Sequence, residues 1–338
     1  MKLQPLIQFL GISAAILSAS AQNLPRPPQP PSVTSKLPPE GLVSFALQPL
    51  GAEPASVVSR QWEGMSQTGT IRPPDPHGVA GPSGVIQTVN LRVAYYNKSG
   101  ALIWGPVNLS SFFVGNSGSG NSDPRVVYDR GSSRFYVILQ ENLSTQSFLN
   151  VAVSKTSNPT TSGTSDWYFY RLDVTEVSGA TNYGADYPGL GVDGQAVYVT
   201  FNMYCLPFST CGTFTNSQIV ILNKAAINSG TGTYSRLFTP AGSGSAFTLQ
   251  PATVLGTNTP GNIAYFGETL LSGTTSVRVW ALRDPLGSPT LTSSTVTVPN
   301  NGGSINGAPQ SGTTTTIDTL SPRTQGNAFW HNGAMWFC

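Results

Sequence analysis

The chain has 338 residues, of which 9% are charged, and its formal net charge of +2 comes from lysines and arginines that are scattered singly. This distribution excludes the basic patch that a nucleic-acid or anionic-membrane partner requires. The 36 glycines and 27 prolines favour strands and turns over surface helices. Aromatic residues make up 10% of the chain and fall in alternating runs that can bury a core, which excludes general disorder.

The amino terminus has the pattern of a secretory signal peptide. Lys2 precedes an apolar stretch from Leu6 to Leu17, and the small residues Ala19-Ser-Ala21 follow it. The stretch is shorter than the roughly 20 residues that cross a bilayer, and no later stretch is long and apolar enough to do so. We therefore predict a signal peptide over residues 1–21 and a protein that is secreted to the extracellular space, the periplasm or the cell surface.

Residues 22–72 are predicted to form a proline-rich linker. The runs Pro25–Pro31 and Pro38-Pro39 favour extended polyproline segments, because proline fixes φ and has no amide donor. A short strand at Val43 to Leu47 is the one regular element expected there. The folded domain is predicted to occupy residues 73–338.

A β-hairpin between Asp123 and Gln140 is the clearest element of this domain. Two apolar runs rich in β-branched and aromatic residues flank the turn sequence Asp129-Arg-Gly-Ser-Ser133. The same order of parts recurs along the chain, and the second strand of each copy begins near Val85, Phe135, Val197, Ile263 and Met335. Repeats of unequal length suit blades around an axis better than stacked rungs, so we predict an all-β protein, a β-propeller of about five represented blades. A β-sandwich is the alternative.

The fifth copy stops inside Met335-Trp-Phe-Cys338. An unfinished blade leaves unpaired strand edges, so we predict that this sequence is the amino-terminal part of a longer protein. The alternative is that a strand from residues 42–72 completes the blade.

Cys205 and Cys211 flank five residues in a predicted loop. In an oxidising compartment, cysteines so placed are expected to form a disulfide. A zinc site is the alternative, but it would need further cysteine or histidine ligands. Cys338 has no predicted partner.

Three phrases resemble those of exported bacterial proteins with sialidase-like β-propeller domains. They are Pro73-Pro-Asp-Pro-His-Gly-Val-Ala-Gly-Pro82, Asp123-Pro-Arg-Val-Val-Tyr-Asp129 with Arg134-Phe135, and Asp186-Tyr-Pro-Gly-Leu-Gly-Val-Asp193. The resemblance covers residues 73–338 and implies the fold, but it is too general to carry an activity.

Three copies begin with an aspartate followed by a proline, directly in Asp75-Pro76 and Asp123-Pro124, and after one residue in Asp186 with Pro188. The first strand of a propeller blade lines the central channel, so these carboxylates are expected to converge near one mouth. Such oxygens could hold a hard cation, and calcium is the one ion that the sequence suggests. The alternative is that each aspartate caps the amides of its own turn. No other cofactor is predicted.

A sialidase would also need arginines from several blades, a tyrosine nucleophile and an acidic proton donor. Arg125, Arg278 and Arg323 come from three copies, and Glu141 or Glu268 could lie at strand ends. The Ser-x-Asp-x-Gly-x-x-Trp turn of many sialidase-like propellers is absent from the sequence.

Aromatic residues near predicted strand ends offer a second kind of site, because planar rings can stack on sugars or anchor a protein partner. We predict ligand contacts for Trp104, Trp167 and Tyr183, together with Arg125. The preferred function is that of a secreted binding or scaffolding protein that contacts carbohydrate or an extracellular protein. A sialidase-like glycoside hydrolase is the alternative.

Overall fold

The computed structural model describes residues 22–24, 61–66, 73–239, 246–256, 260–270, 275–298, 307–317, 323–324 and 326–337. The predicted signal peptide, the predicted strand at residues 43–47 and Cys338 lie outside these ranges. Within them, no helix is long and apolar enough to cross a membrane.

Strands dominate the described residues, with two short helices between them. In chain order the elements are β1 (Gln22–Leu24), β2 (His77–Ala80), β3 (Gly84–Val89), β4 (Arg92–Asn97), β5 (Leu102–Asn108), α1 (Leu109–Phe112), β6 (Asn121–Asp129), β7 (Arg134–Asn142), β8 (Ser147–Ser154), β9 (Trp167–Asp173), β10 (Glu176–Ser178), β11 (Thr181–Val192), β12 (Ala196–Cys205), β13 (Phe214–Asn223), α2 (Lys224–Asn228), β14 (Tyr234–Phe238), β15 (Gln250–Leu255), β16 (Ile263–Thr269), β17 (Ser276–Arg283), β18 (Thr290–Thr297), β19 (Ala328–His331) and β20 (Ala334–Trp336).

These strands form antiparallel meanders that follow the chain. Blade 1 is β2 to β5, blade 2 is β6 to β9, blade 3 is β11 to β14 with β10 added, and blade 4 is β15 to β18. Blade 5 is represented by β19 and β20, and β19 pairs in parallel with β15. The first strand of each blade contacts the first strand of the next. The prediction of a β-propeller with about five represented blades is confirmed.

Strand β1 is an addition to blade 2. It pairs in parallel with the outer strand β9, with Gln22 opposite Tyr170. The sequence placed these residues in the proline-rich linker, and the structure has them as a strand at a sheet edge.

Each central strand packs on both neighbouring blades, as its alternating pattern requires. In β7, Phe135 and Val137 belong to the hydrophobic cluster shared with blade 1, whereas Tyr136 and Ile138 belong to the cluster shared with blade 3. Both faces of β7 are buried, so its central residues form a continuous apolar run. Blade 2 therefore packs on blade 1 through one face of β7 and on blade 3 through the other.

Polar side chains near the ends of second strands hold the start of the following blade. The Asn90 side-chain oxygen accepts a hydrogen bond of 3.1 Å from the Asp123 amide, which joins blade 1 to blade 2. The Asn202 oxygen accepts a hydrogen bond of 2.7 Å from the Thr248 amide, which joins blade 3 to blade 4. These bonds fix the positions at which the inner strands begin, and we call that end of the molecule the mouth.

Two buried ion pairs stabilise the blades. Lys224 of α2 donates to the Asp129 carboxylate at 3.0 Å and links blade 3 to blade 2. Glu141 accepts from Arg171 at 2.9 and 3.1 Å within blade 2. Neither carboxylate can point into solvent, because Asp129 is buried and Glu141 is fully so.

The predicted disulfide between Cys205 and Cys211 is confirmed. Their Cα atoms are 5.5 Å apart, within the usual range for such bonds. The bond closes the loop that joins β12 to β13. A disulfide is typical of proteins from an oxidising compartment.

Candidate functional site

Three aspartates from three blades meet at the mouth. Asp75 lies two residues before β2, Asp123 lies within β6 between its two paired parts, and they adopt positive φ values of 40° and 54°. The Asp186 and Asp75 charges both act on Asp123, so the three carboxyl groups lie close together. The structure thus brings together the three aspartates that the sequence singled out.

Asp186 reaches this point by a different route from Asp123. The pairing of β6 with β7 shifts between Ser122 and Arg125, which leaves Asp123 in a bulge. The pairing of β11 with β12 shifts between Asp186 and Gly189, so the bulged residue of blade 3 is Tyr187. The sequence analysis treated Asp186 and Asp123 as equivalent positions, and the structure shows that they are not. Bulges of this kind re-aim side chains near functional sites.

Amide side chains position the carboxylates. Asn90 donates to Asp75 at 2.6 Å and, through its oxygen, holds the Asp123 amide. Gln140 of β7 donates to Asp186 at 3.4 Å. All three aspartates stay partly accessible to solvent. One asparagine therefore sets the separation of Asp75 and Asp123, and the carboxylates remain open to a ligand.

Burial and mutual repulsion favour the protonated form of two of these groups. Burial raises the pKa of Asp123 well above its usual range, and the neighbouring Asp186 and Asp75 charges raise it further. Burial also raises the pKa of Asp186, although the hydrogen bond from Gln140 opposes the rise.

A tyrosine between two arginines borders the carboxylates. The Arg125 guanidinium lies 5.7 Å from the centre of the Tyr187 ring, and the Arg323 guanidinium lies 5.2 Å from it. Arg125 also donates its Nε hydrogen to the Pro188 carbonyl at 3.1 Å. Burial raises the pKa of Tyr187, and the two arginines oppose that rise. We call Asp75, Asp123, Asp186, Arg125, Tyr187 and Arg323 the axial cluster.

The third predicted arginine lies elsewhere. Arg278 of β17 is 3.6 Å from the Glu268 carboxylate, and its guanidinium lies over the Trp280 ring. Glu268 accepts from the Trp280 indole at 2.8 Å and from the Phe247 amide at 2.9 Å. Its hydrogen bonds therefore hold blade 4 together, and Glu141 has the same structural role in blade 2.

His77 lies behind the axial cluster and links three blades. Its Nδ1 accepts a hydrogen bond of 3.2 Å from the Val126 amide, and its ring is hydrogen-bonded to the Asn327 side chain. Burial lowers the pKa of His77 to about 4, and the Arg125 charge contributes to the lowering. The imidazole is therefore neutral at pH 7, with its hydrogen on Nε2.

The fit of the axial cluster to calcium can be judged from its donors. No group of three metal-ligating side chains is found in the described part of the chain. The Asn90 amide already donates to Asp75 and the Gln140 amide donates to Asp186, so two of the three carboxyl groups have amide partners where a cation would have to bind. The calcium site stays a prediction from the sequence.

The predicted aromatic contacts fall in the interior. Trp104 and Trp167 are 9% and 1% exposed, and they pack against each other with ring centres 6.2 Å apart. Both side chains are therefore largely enclosed by protein, and the binding role predicted for them stays a prediction. Both fill the cluster between blades 1 and 2. Tyr183 is half-buried against the cluster between blades 2 and 3.

Tyr187 is the residue that the sequence did not single out. It stands between Asp186 and Pro188, in a phrase that had been noted only for its aspartate. The proline is the sequence signal that could have found it. Pro124 directly follows Asp123 and Pro188 directly follows Tyr187, so aligning the two prolines makes Tyr187 the counterpart of Asp123.

Comparison with known proteins gives structural neighbours only. No protein-family model matches the chain, and no curated protein matches it. An arabinanase from Bacillus subtilis is 13% identical, with a TM-score of 0.32, over 64% of this chain and 79% of that one. An exo-1,5-alpha-L-arabinanase from a bovine ruminal metagenomic library is 11% identical, with a TM-score of 0.34, over 78% of this chain and 85% of that one.

A third neighbour is an exo-beta-1,3-galactanase from Phanerochaete chrysosporium, which is 12% identical, with a TM-score of 0.33, over 69% of this chain and 52% of that one. None of these three structures is of a sialidase. Similarity at this level does not assign an activity.

Proposed function

We propose that this protein is a glycoside hydrolase whose reaction takes place at the axial cluster. The observation that carries the proposal is the convergence of the Asp75, Asp123 and Asp186 side chains at the mouth, where Asn90 bonds to Asp75 and to the Asp123 amide. Hydrolysis of a glycosidic bond needs one carboxylic acid that keeps its proton and one carboxylate that is ionised. Environments that push the pKa values of neighbouring carboxyl groups apart provide that division of roles.

Asp123 has the role of the general acid. Its raised pKa keeps a proton available, and that proton passes to the leaving oxygen as the glycosidic bond breaks. Asp186 has the role of the carboxylate that takes a proton from the water adding to the anomeric carbon, because the Gln140 hydrogen bond and the Arg323 charge oppose the rise of its pKa and favour its ionised form. Asn90 and Gln140 hold these groups in place through the hydrogen bonds described above.

Arg125 and Arg323 hold Tyr187 against the carboxylates and place positive charge beside them. Positive charge here favours sugar hydroxyl and carboxylate oxygens as ligands. The secreted binding or scaffolding protein predicted from the sequence would need none of this acid chemistry, so the axial cluster favours the hydrolase alternative. Secretion stays a proposal, which the disulfide supports.

The test is hydrolysis by the purified protein of a substrate panel made up of arabinan, β-1,3-galactan, other plant polysaccharides, chromogenic aryl glycosides and a sialoside. We expect sugar release from at least one member. Asp123→Asn and Asp186→Asn should each lower the rate at least about 100-fold, in line with general acid and base catalysis. Asp284→Asn is the matched control, because Asp284 lies in the turn after β17, at the end of blade 4 away from the mouth.

Two results would count against the hydrolase. One is sugar release that persists undiminished in Asp123→Asn. The other is retention of a polysaccharide by wild-type protein without any release of sugar across the panel, which would support the binding protein instead.

A further inference from the structure

Blade 3 stands above the axial cluster. The pairing of β11 with β12 continues past Asp186 and Asn202 to Tyr183 and Cys205. Three more residues in a strand add about 10 Å of height. The loop that the disulfide closes continues from this extension. Blade 3 therefore forms a wall on one side of the mouth.

Aromatic side chains cover the side of this wall that faces blade 4. Side chains alternate along β12, so Tyr204 points the same way as Asn202, which bonds to the start of blade 4. The Tyr204 ring lies 6.4 Å from Phe208 and 5.5 Å from Phe214, and Phe214 lies 5.1 Å from Phe247. We call Tyr204, Phe208, Phe214 and Phe247 the aromatic arc.

The aromatic arc is continuous with the axial cluster. The Arg323 guanidinium lies 5.2 Å from the Phe247 ring and 5.2 Å from the Tyr187 ring, so it touches both groups of residues. The Asp186 charge raises the pKa of Tyr204, in addition to the larger effect of burial. A ligand that extends from the carboxylates toward blade 4 would therefore meet the arc first.

Among the described residues, the hydrophobic clusters do not include these rings. Phe208 is 38% exposed, and the other three are partly accessible. Exposed aromatic rings held side by side are costly for a soluble surface unless a ligand covers them. Flat apolar faces edged by polar groups suit the faces of sugar rings.

The loop that carries Phe208 is held in a fixed shape. The disulfide joins its two ends, and the Cys211 and Thr210 amides donate to the Pro207 carbonyl at 3.0 and 3.1 Å. The Leu206 amide also donates to the Asn182 carbonyl of β11 at 2.8 Å. A ring presented on such a loop loses little conformational entropy on binding.

We infer that the aromatic arc binds the sugar units next to the bond that is cleaved, so that the substrate is an oligosaccharide or polysaccharide chain and not a single sugar on a small aglycone. This inference rests on the proposed function, because it assigns the carboxylates to the reacting sugar. The occupant is a glycan chain, since the arc leads away from the carboxylates and offers stacking faces with hydroxyl and guanidinium groups at their edges.

The experiment compares wild type with Phe208→Ala, Phe208→Trp and the matched control Leu286→Ala, in which an equally exposed apolar side chain is removed from the turn after β17. Each protein is run in native gels that contain arabinan, β-1,3-galactan or arabinoxylan, and its mobility gives the affinity. We expect Phe208→Ala to lower the affinity about tenfold for the polysaccharide that retards wild type in the gel. Phe208→Trp and Leu286→Ala should keep the wild-type affinity. Near-ultraviolet circular dichroism checks that the variants are folded.

Equal retention of wild type and Phe208→Ala would overturn the inference, as would wild-type mobility that no polymer changes. Asp123→Asn, run in the same gels, separates this question from the proposed function. If Asp123→Asn is retained like wild type and Phe208→Ala is not, the arc binds the chain whether or not the protein hydrolyses it. If hydrolysis occurs with wild-type efficiency in Phe208→Ala on polymer and aryl glycoside alike, the hydrolase stands and the arc has no part in it.

Discussion

His77 should make this protein sensitive to mild acid. Its pKa is about 4 in the folded protein, whereas an unfolded chain has the ordinary value of about 6.5. Between these two values the unfolded state binds a proton that the folded state does not. Stability therefore falls as the pH drops from 6.5 to 4, and it is fully present only above this window.

The size of the effect follows from the two pKa values. The linkage relation gives a loss of about 3 kcal/mol at pH 4 relative to neutral pH, because each pKa unit corresponds to about 1.4 kcal/mol. The groups responsible surround the ring. Val126 and Asn327 occupy its two nitrogens, and the Arg125 guanidinium disfavours a second positive charge.

His77→Gln tests this estimate, because glutamine can offer one acceptor and one donor but does not titrate. The free energy of unfolding of both proteins would be measured by urea denaturation from pH 7.5 to pH 4. We expect wild type to lose about 3 kcal/mol relative to the variant across that range. His331→Gln, at an exposed position of β19, is the control. It should lose as much unfolding free energy as wild type between pH 7.5 and pH 4.

A second readout is direct. The chain has two histidines, so a proton NMR titration gives two imidazole signals that the two variants assign. A midpoint for His77 near its ordinary value, or a wild-type-to-variant gap that does not change with pH, would refute the reasoning.

Three further predictions concern buried charge and the disulfide. Asp123→Asn should raise the free energy of unfolding by about 1 to 2 kcal/mol at neutral pH while lowering the rate of sugar release, because burial opposes ionisation of Asp123 in the folded protein and the unfolded chain ionises freely. Lower stability of the variant in thermal unfolding would contradict this. Replacing Cys205 and Cys211 by serine should cost about 2 kcal/mol, as the loop-entropy relation gives for so short a loop, and urea midpoints equal to those of the oxidised wild type would argue against it. Glu141→Gln should lower the free energy of unfolding by about 3 kcal/mol, because Arg171 would lose its buried partner. The difference from wild type should shrink in acid as the wild-type carboxylate protonates, and a difference independent of pH would speak against the ion pair.

The repeat pattern was readable from sequence because strand periodicity is local. The second strands predicted to start near Val85, Phe135, Val197, Ile263 and Met335 begin at or within one residue of these positions. The positions of these strands therefore follow from the composition of the strands themselves.

The side chains of the site were only partly predictable, because they depend on register and on partners distant in sequence. The aspartate before each proline marked the right place along the chain, but the bulge that puts Tyr187 in the position of Asp123 depends on pairing with β12. Trp104 and Trp167 looked like surface residues because each lies near a strand end. They are buried because blade 2 stacks on blade 1, and no local pattern records that contact.

The same inter-blade bonds that hold the propeller together also prepare its mouth for chemistry. Asn90 links blades 1 and 2 by bonding to the Asp123 amide, and its other side-chain group bonds to Asp75. The two residues are thus held side by side before any ligand arrives. Burial and the neighbouring charges oppose ionisation of Asp123, a cost to folding that the buried clusters between the blades offset. The proposed site therefore lies where blades meet, because the stacking of the blades supplies the burial that raises the pKa of Asp123.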